Sequence, residues 1–218
     1  MNNYDKDPIL GHKVAEHLQS LGIDNPIKAP MDSLLVTQSI KDLIKGLGII
    51  PDDDSIQKTP ERVARFFVNE LFYGLNYNNF PKITFNHNQY GYQEPVISKN
   101  ISFKSTCEHH LVTISGEAFI AYIPKDNVIG LSKINRVVNF FARRLQVQER
   151  ATLQIFHALA YILQTEDIAL LIKASHHCIT MRGVNDQNVE NITYKFGGRF
   201  NEPEMKQEFR NLINTHRL

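Results

Sequence analysis

Residues 101–145 read ISFKSTCEHHLVTISGEAFIAYIPKDNVIGLSKINRVVNFFARRL, and the spacing of their apolar residues changes partway along. Ile101 and Phe103, then Val112 and Ile114, then Ala118, Ile120 and Tyr122 alternate with other residues, the period-two pattern of strands buried on one face. Ser115-Gly116 is expected to interrupt that run. From Ser132 the apolar positions become Ile134, Val137, Val138 and Phe141, which is helical spacing, and a second helix is predicted from about 148 to 163 with Ile155, Leu159 and Ile162 on its inner face. Downstream, strands are expected over 168–181 and 191–200, and Pro203 opens a last helix through Phe209, Leu212 and Ile213.

Upstream, Leu35, Ile40, Leu43, Ile44 and Leu47 recur at helical spacing after Asp32, with Gly46 and Gly48 as stops. A second amphipathic helix follows Thr59, read as its cap, and Pro60, read as its first residue; Val63, Phe66, Phe67, Leu71 and Phe72 form its stripe. The weakly amphipathic stretch 14–21 predicts either a mobile arm or a short docked helix. The order of helices, strand pair, helix pair, strand pair and helix predicts the α+β class with a largely antiparallel sheet. A helical N-terminal region over 1–95 and a second domain over 96–218 are expected.

With 218 residues, 42% of them hydrophobic, the chain can bury a single substantial core. Its formal net charge of +1 excludes a surface-wide field for nucleic acid or an anionic membrane, so neither is expected as a partner and any anion site must be local. The apolar run from Ile168 to Ile172 is too short to span a bilayer, and no signal-peptide pattern opens the sequence, so a cytoplasmic location is expected.

The chain has 9 histidines and 2 cysteines, and both cysteines and four of the histidines fall within Cys107-Glu108-His109-His110 and Ser175-His176-His177-Cys178. Soft and borderline ligands at that density point to a transition metal, zinc above all. Cys107 and His110 have Cys-x-x-His spacing, so one tight turn can direct both at one ion, while Cys178 must arrive through the fold. Three such ligands leave a fourth position open for a catalytic water; a second histidine there would make the site closed and structural. Spacing leaves both readings open, as it does that of ordinary buried cysteines.

Gly130-Leu131-Ser132-Lys133 precedes a helical pattern, so Ser132 is expected to cap the helix, with Lys133 and Arg136 beside the free amides of its first turn. This is either a local phosphate cradle or a routine serine cap. Arg182 and the Arg62/Arg65 pair can add positive charge, although helix-borne arginines are usually a solvated face. In Gln146-Val147-Gln148-Glu149-Arg150, the amide and carboxylate of Gln148 and Glu149 can read a base edge, or Glu149 can simply favour a helix start. His109 and His176 each neighbour a candidate ligand and are candidate proton-transfer groups.

The stretches KTPERVARFF (58–67), YGLNYNNFPKITF (73–85), STCEHHLVTISGEAFIAYIPKDNVIGLSKINRVVNFFARRLQVQER (105–150), HHCITMRGV (176–184) and GGRF (197–200) resemble the GTP cyclohydrolase I family. The resemblance implies a tunnelling-type fold and hydrolysis of GTP to formate and 7,8-dihydroneopterin triphosphate, the first step towards folate or tetrahydrobiopterin. It implies zinc held by Cys107, His110 and Cys178, with activated water attacking guanine C8. His176 would handle the proton at N7, and His109 would assist at the ribose. Glu149 and Gln148 would hold the guanine edge, while Ser132, Lys133, Arg136, Arg182, Arg65 and Arg62 would meet the ribose and triphosphate, Ser132 counting with His109 and His176 as catalytic; Glu108 is carried into the substrate-binding set with its motif. A homodecamer with sites at subunit contacts is also implied. Residues 185–194 lack the Ser/Thr-rich run expected of the family, and His177 stands where Tyr or Met is expected. A nucleotide-binding module with a purely structural zinc is the alternative, and the full Cys-Glu-His-His and His-His-Cys set argues against a deazapurine-type relative.

Overall fold

A computed structural model of the chain describes residues 5–27, 29–50 and 53–214. Helices α1 (Pro8–Ser20), α2 (Ser33–Gly46) and α3 (Thr59–Phe66) come first, and α3 runs on into a π-helical turn at Phe67–Leu71. Strands β1 (Phe85–His87), β2 (Val96–Cys107), β3 (Thr113–Tyr122) and β4 (Asn127–Ile129) precede α4 (Leu131–Ala142). Then follow β5 (Leu145–Gln146), α5 (Gln148–Leu163), β6 (Ile168–His176), the short turn α6 (His177–Thr180), β7 (Asn191–Phe196) and α7 (Pro203–Asn214). The main sheet has the order β5-β2-β3-β6-β7 and is antiparallel except where the short β5 runs parallel to β2; β1 and β4 form a separate pair. The expected α+β class is present.

Each face of the sheet carries one apolar layer. Ala118, Ile120 and Tyr122 of β3 face the inner sides of α4 and α5, where Ile134, Val137, Val138, Phe141, Ile155 and Leu159 are all buried. Phe119 and Ala121, one residue out of phase, pack with Phe196, Phe200 and Phe209 on the opposite face, as strand alternation requires. The stretch expected to be either mobile or docked is the helix α1: Asp7 caps it, its carboxylate accepting from the Leu10 amide, and Val14 and Leu18 are fully buried in the main core. In α2, by contrast, only Ile44 is buried. Gly48 just beyond it adopts φ 76°, a conformation glycine tolerates after a helix.

Several local expectations are corrected. Ser115-Gly116 does not break the run, because β3 is continuous; a Cβ on Gly116 would lie 2.0 Å from the Lys173 carbonyl oxygen, so glycine here serves close strand approach. The strand expected to reach 181 stops at His176, which pairs with Ile114 one residue from the start of β3 and so has almost no ladder left. The strand expected to reach 200 stops at Phe196, opposite Ala169 near the start of β6, and a 3₁₀ turn follows. Thr59 is inside α3, not its cap: its amide already donates to the Ile56 carbonyl. Ser132 is likewise the second residue of α4, whose cap position is Gly130, and it makes no capping hydrogen bond.

Candidate active site

The ends of β2, β3 and β6 converge, with Thr106 opposite Thr113 and Ile114 opposite His176. After β2 the chain makes a tight turn: the Leu111 amide donates to the Cys107 carbonyl, the Cys107 amide donates to the Val112 carbonyl, and Leu111 sits at φ 55°. Left-handed backbone at a branched residue is sterically costly and persists only where its surroundings enforce it. This turn brings Cys107 and His110 to one side. Beyond His176 the switch from strand to helical turn redirects Cys178 to the same place. Ligand atoms of Cys107, His110 and Cys178 all lie within 4.8 Å of one another. Tetrahedral zinc with bonds near 2.3 Å needs ligand separations of roughly 3.7 Å, so small side-chain rotations close the group around an ion. Two thiols and an imidazole are a zinc-type donor set. Burial, and then the neighbouring Cys107 thiol, raise the Cys178 thiol above its ordinary pKa; a cation between them reverses that preference.

Around this group stand two histidines of different character. His109 is exposed, with Nε2 4.0 Å from a Glu108 oxygen and Nδ1 3.9 Å from the Cys107 sulfur. His176 is half-buried, and that desolvation lowers its pKa against a smaller opposing effect of the Glu149 charge. Its Nε2 lies 2.7 Å from Oε1 of Gln148. Gln148 is buried and spends its amide nitrogen on internal acceptors, whereas Glu149 next to it is exposed in the first turn of α5. Arg182 reaches His110, Nη1 to Nε2 at 2.9 Å.

A second layer behind the Cys107 turn was not legible in the sequence. Glu108 is ion-paired with Arg150, which also donates to the Gln146 side chain at 3.0 Å and to the Leu145 carbonyl at 2.9 Å. Gln146 in turn donates to Gln154, and Gln154 to Asn25 beyond the end of α1. Arg144, fully buried, pairs with Asp24 at 3.0 Å and lies against the rings of Tyr77, Phe140 and Phe141. Burial is the main cause of a Tyr77 pKa raised well above that of a free phenol. These polar groups lie far apart in the chain and fit no short motif.

Apart from Arg182, the candidate anion-binding residues lie elsewhere. Ser132, Lys133 and Arg136 are on the first turns of α4, which packs along β2. Its N-terminal end adjoins Thr84 and its C-terminal end leads to β5, paired with Cys107. Ser132 is the second residue of this 12-residue helix, so the rest of α4 places it about 15 Å from the helix's C-terminal end. Arg136 is paired with Asp5 at 2.9 Å, and that hydrogen bond holds the Asp5 carboxyl below the usual carboxylate range. Arg62 and Arg65 are exposed on α3, with Arg62 hydrogen-bonded to Thr59 and to the Ser55 carbonyl.

Comparison with known proteins matches this arrangement to named relatives. The protein-family model for GTP cyclohydrolase I matches residues 36–214. The GTP cyclohydrolase 1 of Klebsiella pneumoniae subsp. pneumoniae is 42% identical over 224 aligned residues, covering 99% of this chain and 100% of that protein. Proteins of the same name from Salmonella arizonae and Salmonella newport match with the same identity and coverage. Among solved structures, the archaeosine synthase QueF-Like in the apo form aligns at TM-score 0.36 and 14% identity, over 48% of this chain and 94% of that one. Because the family model takes in the Cys107 turn, α4, α5 and the His176–Cys178 segment, and the relatives match from end to end, the chain belongs to the GTP cyclohydrolase I family.

Proposed function

We propose that the chain hydrolyses GTP to formate and 7,8-dihydroneopterin triphosphate, with Cys107, His110 and Cys178 holding zinc. The observation that carries this reading is the convergence of those three ligand atoms within 4.8 Å, beside His176, in a member of this family. Bound zinc supplies Lewis-acid activation of water for attack at guanine C8. His176 serves as the proton carrier at N7; its partial burial and lowered pKa keep it neutral and able to accept a proton near pH 7. His109, exposed beside Glu108, serves proton transfers at the ribose. Glu149, exposed at the start of α5, accepts from the N1–H and N2–H2 edge of guanine.

Ser132, Lys133, Arg136, Arg182 and Arg65, with Arg62, form the ribose and triphosphate set. Ser132 and the Cys107 turn lie towards opposite ends of α4, which supports a site completed by a second copy of the chain. Leu34 at 82% and Ile50 at 73% exposure supply unpartnered apolar surface for that assembly, which we place as a homodecamer. No helix among the described residues is long and apolar enough to cross a membrane, and the proposed location is the cytoplasm. The proposed division into 1–95 and 96–218 falls where the main sheet begins at Val96, and residues of both parts share the main core.

The test is formate release from GTP, with the fluorescent oxidised pterin followed in parallel, before chelation, after it, and after adding zinc back. Equal formate and pterin, lost on chelation and restored by zinc, are expected. GTP binding with neither product would replace this reading with a zinc-stabilised nucleotide binder.

A further inference from the structure

We propose that Gln148 is a positioning residue for His176, fixing the imidazole with its proton on Nε2 and leaving Nδ1 as the nitrogen that takes a proton from or gives one to the substrate. The inference rests on the reaction proposed above, and it assigns Gln148 a different task from reading guanine.

The orientation of the Gln148 amide is decided by its surroundings. Its Nε2 lies 3.1 Å from the Ile172 carbonyl, 3.0 Å from the Asn191 carbonyl and 3.1 Å from Oγ1 of Thr193. Reversing the amide would set its oxygen against two carbonyl oxygens, which only accept. The hydroxyls complete the same assignment: Thr152 donates to the Gln148 main-chain carbonyl at 2.9 Å, and Thr193, 2.7 Å from Thr152, donates to it and so accepts from Gln148. Every donor in the cluster then has an acceptor.

With the nitrogen committed, Oε1 faces Nε2 of His176 at 2.7 Å, and a carboxamide oxygen can only accept. The neutral imidazole must therefore carry its hydrogen on Nε2, and its basic lone pair is on Nδ1. Among the described residues nothing hydrogen-bonds to Nδ1. Gln148 itself is 2% exposed, which leaves little of it for a ligand to touch. Its position as the first residue of α5 spans the gap between that helix and the β6–β7 pair, so the tautomer of His176 is set by the packing of three elements.

Two measurements test this. Neutron diffraction from zinc-loaded protein crystallised in deuterated solvent at about pH 8 should show a deuteron on Nε2 of His176 alone; a deuteron on Nδ1, alone or in addition, overturns the proposal. In Gln148→Met, kcat for formate release should fall about ten- to a hundredfold, with KM for GTP and zinc content within about twofold of the parent. A raised KM with unchanged kcat would return Gln148 to guanine binding and also overturn it. Should the variant not fold, the deuteron position in the parent protein decides alone. If the parent protein releases no formate, the proposed reaction fails, while the deuteron position still judges the Gln148–His176 pair.

Discussion

Nη1 of Arg182 lies 2.9 Å from Nε2 of His110, while Nδ1 of the same ring is 3.9 Å from the sulfur of Cys107. A guanidinium only donates, so this contact uses the Nε2 lone pair. Ligation through Nε2 competes for that lone pair, and ligation through Nδ1 puts a hydrogen on Nε2 facing another donor. Arg182 must therefore leave His110 when a metal binds. Arg182→Gln should tighten zinc binding by roughly two- to tenfold, equivalent to the about 0.5–1.5 kcal/mol of one hydrogen bond, while raising KM for GTP. Titration against a chromophoric chelator reads the first effect; weaker zinc binding would instead make Arg182 a support for the ligand.

Zinc affinity should rise with pH. The Cys178 thiol is held above its ordinary pKa by burial and by Cys107, so loading the site must displace protons. Proton release on adding zinc in weak buffer measures this directly, and Cys178→Ser should abolish stoichiometric binding. Chelation should remove formate release yet leave the thermal transition largely in place, because both cores are aliphatic and aromatic packing apart from Cys107, with Cys178 packed against the main one.

Arg150 holds the Cys107–His110 turn from behind through Glu108, Gln146 and the Leu145 carbonyl. Arg150→Met should weaken zinc affinity about ten- to a hundredfold, the usual effect of removing a group that orients ligands. Lysine should rescue poorly, since one ammonium cannot reproduce the planar fork. Equal zinc affinity in the parent and the methionine variant would limit Arg150 to a stability role.

The Arg144–Asp24 pair is fully enclosed, and removing one charge strands the other. Asp24→Asn should cost about 3–5 kcal/mol in urea unfolding. Replacing Asp24 and Arg144 together with apolar residues should cost less than Asp24→Asn does, which a double-mutant cycle would reveal.

Burial also lowers the pKa of His157, with Glu166 opposing and Lys195 and His17 reinforcing. A histidine with a depressed folded-state pKa binds more protons when unfolded. Its contribution to stability is thus present above the ordinary value of about 6.5 and is lost as pH falls through the folded-state pKa. Melting temperature should decline across that acid window, and His157→Gln should flatten the decline. An unchanged acid limb in the variant would assign the slope to other groups, His176 among them.

Local periodicity reached the helices and the centres of the strands because burial acts residue by residue. Ile134, Val137, Val138 and Phe141 are inward as expected. The ends of β6 and β7 were not legible, because a strand stops where its neighbour stops, and Gly116 reads as a turn until Lys173 is placed against it. Cys107, His110 and Cys178 stood out because thiols and imidazoles are scarce and were clustered.

By itself, the sequence determined the α+β class, the candidate ligands Cys107, His110 and Cys178, and the family resemblance. Those are written in residue types and short spacings. Only the tertiary structure decided that Gln148 faces His176, that Arg150 backs Glu108, that Arg182 contacts His110 and that Ser132 and the Cys107 turn lie towards opposite ends of α4. Hydrogen-bond partners far apart in the chain are chosen by the geometry of packing, and an amide or guanidinium carries no mark in the sequence of which acceptor it will meet.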